Sequence, residues 1–251
     1  MMARGLMTDR ARMERQWRRV AIAATVLVGL AACRPAVQRT AQTGVPVFPP
    51  PDRRVAEIIS PSWDSEARRD DAGEAERVMT YLGIGSGARV ADIGAGSGYY
   101  AVRIAKRVGP TGVVYAEDIV PDYLDSLRFR IAEENLANVQ PISGTSADPK
   151  LPAGQVDVML LSHMYHEIEN PYEFLWNAQP SFAPGGKIGI LDLERETWRH
   201  GTPIPLLTCE LERMGYTKAG VYFLEPAAGY LAIFTAPATR PDPTSLTACT
   251  A

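Results

Sequence analysis

Residues 90–100 read VADIGAGSGYY: a short apolar run holding an aspartate, glycines at every second position, then two tyrosines. Few folds accept such a stretch. A strand without polar alternation is buried on both faces, as in a parallel sheet covered by helices. Gly94, Gly96 and Gly98 let the chain turn sharply behind it and bring bare backbone against a ligand. A helix beginning near Ser97 turns its free amides toward the same place.

The neighbouring sequence continues this pattern. Ala75, Val78, Met79 and Leu82 fall at helical spacing before the run, and Ala101, Ile104, Ala105 and Val108 do so after it, up to the stop at Gly109-Pro110. A strand is expected in GVVYAED, and a helix from Pro121 carries Leu124, Leu127 and Ile131. Strands follow near 138–143 and 155–162. A helix holds Phe174, Leu175, Ala178 and Phe182, and Pro184-Gly185-Gly186 turns into the strand KIGILDL. After a helix near 203–214, VYFLE and GYLAIFTA lie close enough to pair as a hairpin. Strands alternating with helices predict one α/β domain over residues 61–237, with both faces of its sheet covered. In such a sheet ligands bind beyond the carboxyl ends of the strands where the winding reverses, which is where the glycines sit.

The flanks read differently. An arginine-rich stretch ending WRRV precedes AIAATVLVGLAA, apolar for about a dozen residues; that is the length of a secretory h-region and too short to span a bilayer comfortably. It ends in Leu30-Ala31-Ala32-Cys33, which resembles the lipobox of bacterial lipoproteins, whose cysteine is lipidated. Residues 1–33 are therefore expected to be an export signal, with an incidental cysteine in an Ala-rich helix as the alternative. Residues 34–60, with five prolines before Arg54, read as a linker, and 238–251 as a disordered tail. Nothing in the spacing of Cys209 and Cys249 argues for a disulfide. Beyond residue 33 the 26 basic residues of the chain fall to 20 and its 29 acidic residues to 27, leaving about −7. A body so acidic is a poor grip for phosphates, and no nucleic-acid partner is expected.

Two cofactor classes use a glycine turn of this kind. The dinucleotide fingerprint G-x-G-x-x-G asks for Gly or Ala where Tyr99 stands, which disfavours a nicotinamide oxidoreductase. Asp92, Gly94, Gly96 and Gly98 instead resemble motif I of the class I S-adenosylmethionine-dependent methyltransferases, D/E-x-G-x-G-x-G. Twenty residues after Gly98, Glu117-Asp118 closes the next strand. Val156–Leu160 looks like that family's fourth strand, and Phe182–Lys187 resembles its L-x-P-G-G turn, with Phe for Leu. The resemblance covers about residues 61–237. It implies a Rossmann-like, seven-stranded, mostly parallel sheet with an antiparallel last strand and helices on both faces, and S-adenosyl-L-methionine as cofactor. It further implies Asp92 near the methionine end of the cofactor, the glycines admitting its backbone, and Asp118, or else Glu117, on the ribose. Thr145 or Asp148 is implied at the adenine. Trp63, Arg68, Arg69 and Asp70 stand where such proteins often carry a lid; a charged, solvated segment is the alternative.

Methyl transfer from a sulfonium is an in-line displacement governed by proximity, with a base needed only when the acceptor loses a proton. The acceptor is expected beyond the fourth strand, at LLSHMYHEIENPY. His166 is the first candidate base and His163 the second, with Tyr165 shaping the pocket; all three could equally cap the sheet. His163-x-x-His166 with Glu167 is weaker than H-E-x-x-H and lacks a third ligand, so no metal is expected. An Asn/Asp-Pro-Pro-Tyr/Phe signature is absent here, which points to a small-molecule acceptor. The expected function is S-adenosylmethionine-dependent methyl transfer by an exported, membrane-anchored protein, cytoplasmic if the signal is unused. The alternative is a tethered binding module that keeps the fold without turnover. The acceptor and the oligomeric state are left open.

Overall fold

The computed structural model describes residues 46–58, 65–224 and 229–250. The export signal with Cys33, and Trp63, lie outside the described residues. From Pro46 onward the chain forms one unit. Its sheet has seven strands: β1 (Arg89–Ile93), β2 (Val113–Asp118), β3 (Val139–Ser143), β4 (Val156–Ser162), β5 (Phe182–Asp192), β6 (Thr217–Leu224) and β7 (Gly229–Thr235), in the order β3-β2-β1-β4-β5-β7-β6. β7 runs antiparallel to both its neighbours, and the pairs from β3 across to β5 are parallel. This is the fold that the sequence predicted, antiparallel last strand included.

Successive strand residues serve opposite cores, which is why the strands read as unbroken apolar runs. Val90, Val114, Val158 and Leu160 pack into one buried cluster, and Ala91, Tyr115, Met159 and Leu161 into the other. Helices α2 (Glu74–Tyr81), α3 (Tyr99–Val108) and α4 (Pro121–Glu133) cover the first through Val78, Ile104 and Leu127. Helices α5 (Pro171–Ala178) and α6 (Ile204–Arg213) cover the second through Leu175 and Leu207. Local chemistry fixes the helix starts. Pro121 and Pro171 stand in the first turns, and the Asn170 side chain caps α5 by accepting from Glu173 N. A short α1 (Glu66–Asp71) precedes α2.

Three expectations need correction. Phe182 begins β5 rather than ending a helix, because α5 stops at Ala178 and Pro180 sits in a following 3-10 turn, where its missing N–H costs no helical bond. Residues 46–58, read as linker, pack against the domain: Arg53 forms a buried 3.1 Å ion pair with Glu210, and Ala56 N donates to the His166 carbonyl. Residues 238–250, read as disordered, hold a 3-10 turn at Pro243–Ser245. They are tied down by a disulfide from Cys249 to Cys209 on α6 and by Cys249 N donating to the Tyr172 hydroxyl. Pro-rich composition hid these fastenings, because each is a single long-range contact without periodicity.

Candidate active site

The reversal of strand order between β1 and β4 opens a cleft at the carboxyl ends of β1, β2 and β4. It encloses about 1180 Å³, more than the roughly 300–1,000 Å³ usual for one small ligand. Gly94 and Gly96 line one wall. At Gly94 the φ of 65° and the nearness of Met164, whose Cγ would lie 3.1 Å from an added Cβ, favour glycine. Gly98 does not reach the cleft. With φ of 94° it starts α3 and lets the turn close over Leu127 Cδ1, which an added Cβ would meet at 2.7 Å.

Three carboxylates crowd the strand ends. Asp92 is 2% exposed; burial pushes its carboxyl up to about 7, and its Oδ2 has no hydrogen-bond partner among the described residues. Burial, and then the charge of Asp118, push Glu117 up to about 8, and its Oε1 is likewise without a partner. Asp118 is committed differently, each oxygen accepting a backbone amide at 2.8 Å: Gly96 N on Oδ2 and Val120 N on Oδ1. Asp118 thus ties the glycine turn to the end of β2, while Asp92 and Glu117, which also line the cleft, each keep one buried oxygen without a partner among the described residues. A cationic ammonium beside Asp92 and hydroxyls beside Glu117 would satisfy both.

Farther along this wall Thr145 lines the cleft and Asp148 does not, its Oδ1 being occupied by Lys150 N. Sequence reasoning missed Ile119, Val120 and Tyr123, which line the cleft beyond Asp118. Ile119, an apolar residue just after a strand end, is 39% exposed there. Above the turn α1 brings Glu66, Arg68 and Arg69 to the cleft. It is held by Glu66 to Arg130 and by Asp70 to Arg103, with the Arg69 guanidinium 3.7 Å from the centre of the Tyr99 ring and bonded to Glu74. Arg68 and Arg69 thus reach the cleft, and Asp70 does not line it.

The opposite end lies after β4. His163 lines the cleft with a left-handed backbone (φ 53°), and burial lowers its imidazole to about 4, so the ring is neutral near pH 7. The ranking of the histidines by sequence is therefore reversed at the cleft wall. His166, fully buried, turns its Nδ1 to Asp192 at 3.1 Å and does not line the cleft; Glu167 beside it does. Tyr165 does not shape the pocket: its ring is buried in the core and its hydroxyl donates to Glu210 at 2.8 Å. Both departures arise from the 3-10 turn at Tyr165–Glu167, which points successive side chains in different directions. Val55–Ile58 of the N-terminal strap, together with Ile168 and Phe174, completes this end.

The topology and cleft are those of the class I methyltransferase fold. Residues 90–186 match the model of a family described as "Methyltransferase domain". Demethylmenaquinone methyltransferase from a Geobacillus species is 25% identical over 122 residues, 49% of this chain and 52% of that one. The ubiquinone/menaquinone biosynthesis C-methyltransferase UbiE of Pseudomonas putida is 28% identical over 116 residues, 46% of this chain and 45% of that one. The chain spans about half the length of these curated relatives. Among solved structures, a SAM-dependent methyltransferase from Aquifex aeolicus aligns with a TM-score of 0.59 at 21% identity, covering 69% of this chain and 98% of that one. Asp92, Gly94, Gly96 and Asp118, the motif positions that resemblance assigns to S-adenosylmethionine, come together in this structure around one turn.

Proposed function

We propose that the protein transfers a methyl group from S-adenosylmethionine to an apolar small molecule. The observation that carries this reading is the pair of buried acceptors without partners, Asp92 Oδ2 and Glu117 Oε1, flanking a glycine turn in a cleft large enough for two ligands. On this reading Asp92 takes the cofactor's ammonium, Glu117 takes its ribose hydroxyls while Asp118 holds the glycine turn in place, and Thr145 lies toward adenine. The cofactor supplies an electrophilic methyl group. The chain's part is to align the acceptor in line with it and exclude water. His163, neutral at the cleft wall, is suited to accept a hydrogen bond from the acceptor and hold it in place. Ile58, Ile168 and Phe174 give that end an apolar surface beside Glu57, Glu167 and Glu169, in keeping with relatives whose names specify menaquinone and ubiquinone synthesis.

The basic segment, h-region and Leu30–Cys33 support export and anchoring through a lipidated Cys33. A disulfide between Cys209 and Cys249 suits an oxidising compartment. Export also favours the second reading, a binding module without turnover, because S-adenosylmethionine is a cytoplasmic metabolite. Calorimetry of the full chain with S-adenosylhomocysteine tests the cofactor assignment: saturable binding lost in Asp92→Asn is expected, and no binding refutes the methyltransferase reading. Methyl transfer from labelled S-adenosylmethionine to quinol-like acceptors then separates enzyme from binding module. Fractionation with and without globomycin tests the anchor, and an unprocessed cytosolic chain overturns it.

A further inference from the structure

Behind the acceptor end of the cleft lies a cluster that methyl transfer does not use. The 3-10 turn Tyr165–Glu167 meets a second one, Thr197–Arg199, and the His166 and His200 rings stand edge to face with centroids 5.5 Å apart. One donor atom each of His166, Glu167 and His200 lies within 4.8 Å of the others. Sequence reasoning found no third ligand for His163-x-x-His166. In the structure His163 is not part of the group, and His200, thirty-four residues beyond His166, is.

The polarity of the cluster is what asks for a ligand. His166 is 1% exposed, and its Nδ1 sits 3.1 Å from both oxygens of Asp192. Asp192 also accepts from the Thr202 hydroxyl and from Leu193 N, so its charge is fully engaged and the Nδ1–H tautomer of His166 is fixed. The lone pair of His166 is thereby placed on Nε2, a buried atom with no hydrogen-bond partner among the described residues. His200 Nδ1 is a second such atom. The Glu167 carboxylate approaches His166 Nε2 to 3.9 Å, too far for a hydrogen bond. Two imidazoles and one carboxylate with donor atoms within 4.8 Å of one another, one imidazole oriented by a carboxylate behind it, make the donor set of a borderline metal ion.

The geometry points to a divalent transition-metal site, best suited to Zn²⁺, with His166 Nε2, His200 Nδ1 and a Glu167 oxygen as ligands and Asp192 as the positioning residue. The nitrogen-rich set argues against Mg²⁺ and Ca²⁺, which take oxygen donors. Tetrahedral binding at about 2 Å draws the donors inward by about 1 Å from their present spacing. Glu167, whose side chain retains 12% exposure, lies on the cleft side of the group. Three protein ligands leave a fourth position for water or an acceptor heteroatom, the pattern of reactive rather than structural zinc sites. Because Glu167 also lines the cleft, the ion stands at the acceptor wall. The site depends only on these side chains and stands whether or not methyl transfer is the activity.

The test is metal content and affinity of the full chain, stripped with chelator and titrated with Zn²⁺ alone, with Co²⁺ alone as the spectroscopic probe. One equivalent of Zn²⁺ per chain is expected, and the visible bands of bound Co²⁺ should report a tetrahedral nitrogen–oxygen set. His200→Asn removes a ligand while keeping a residue that tolerates the left-handed backbone there (φ 58°), and should weaken binding at least tenfold. Asp192→Asn should weaken it 10–100-fold through the orientation of His166. Circular dichroism melting confirms folding of each variant; where Asp192→Asn does not fold, Glu167→Gln and His200→Asn decide. Absence of stoichiometric Zn²⁺, or affinity unchanged in folded His200→Asn and Glu167→Gln, overturns the site.

Discussion

Asp92 and Glu117 hold their carboxyls in surroundings that disfavour charge, pushed up to about 7 and about 8 mainly by burial. The consequence for stability has a definite sign. A carboxyl whose folded value lies above its unfolded one stabilises the fold fully at low pH, and that stability drains away up to the folded value. His163, lowered to about 4, works oppositely, but only below the ordinary histidine value of about 6.5. Between pH 6.5 and 8 these two acids should lower the stability of the ligand-free protein by about 2 kcal/mol. Melting curves check this: Glu117→Gln should flatten most of the decline, and an unchanged slope in that variant disproves the assignment. Binding a cofactor ammonium beside Asp92 favours its ionised form, so below pH 7 binding should release protons. Calorimetry in buffers of different ionisation enthalpy reads that release, which Asp92→Asn should abolish. At this scale the sequence named the acids without dividing their labour. Asp118 and Glu117 are adjacent in the chain, and only the return of the Gly96 amide onto Asp118 shows which one keeps an open oxygen.

Between elements, the strap before α1 crosses from the cleft to α6. Arg53 pairs with Glu210 in full burial, and its Nη2 donates to the carbonyls of Tyr165 and Ile168, fixing the turn that carries His166 and Glu167. Replacing one partner of a buried pair strands the other charge, so Arg53→Ala should cost about 3–5 kcal/mol by chemical denaturation. Arg53→Met combined with Glu210→Leu should recover much of it, because an apolar pair fills the same space without desolvated charge. If Arg53→Ala melts as wild type, the strap is not anchored in this way. The sheet and its helices were legible because periodicity repeats along every element: Val90, Ala91, Val114 and Tyr115 each declare their core. The strap was not, since Arg53 and Ala56 sit among prolines and owe their burial to partners over a hundred residues away. The same limit applies to His200, a lone histidine in the loop after β5 whose relation to His166 exists only once two 3-10 turns meet.

Across the whole molecule, both segments that compositional reading assigned to solvent end on one face. The tail crosses α5 and α6, Trp176 Nε1 donates to the Pro241 carbonyl, Arg240 lies 3.5 Å over the Trp176 ring, and Thr250 bridges to Asp52 of the strap. The Cys209–Cys249 bond locks this arrangement across a sequence separation of 40. Closing a loop of that length restricts the unfolded chain by about 4 kcal/mol in the chain-entropy account. Cys209→Ser should therefore lower stability by about 2–4 kcal/mol. Because the tail touches the strap and the strap touches the Tyr165–Glu167 turn, the loss should not stop at the tail. Hydrogen exchange at Ala56 and in residues 165–168 should quicken in Cys209→Ser and in the reduced wild type alike, while β1, buried on both faces, stays protected. A bond holding only the tail predicts faster exchange confined to residues 238–250. Exchange that spreads to the strap instead makes the acceptor end of the cleft respond to the redox state of its surroundings.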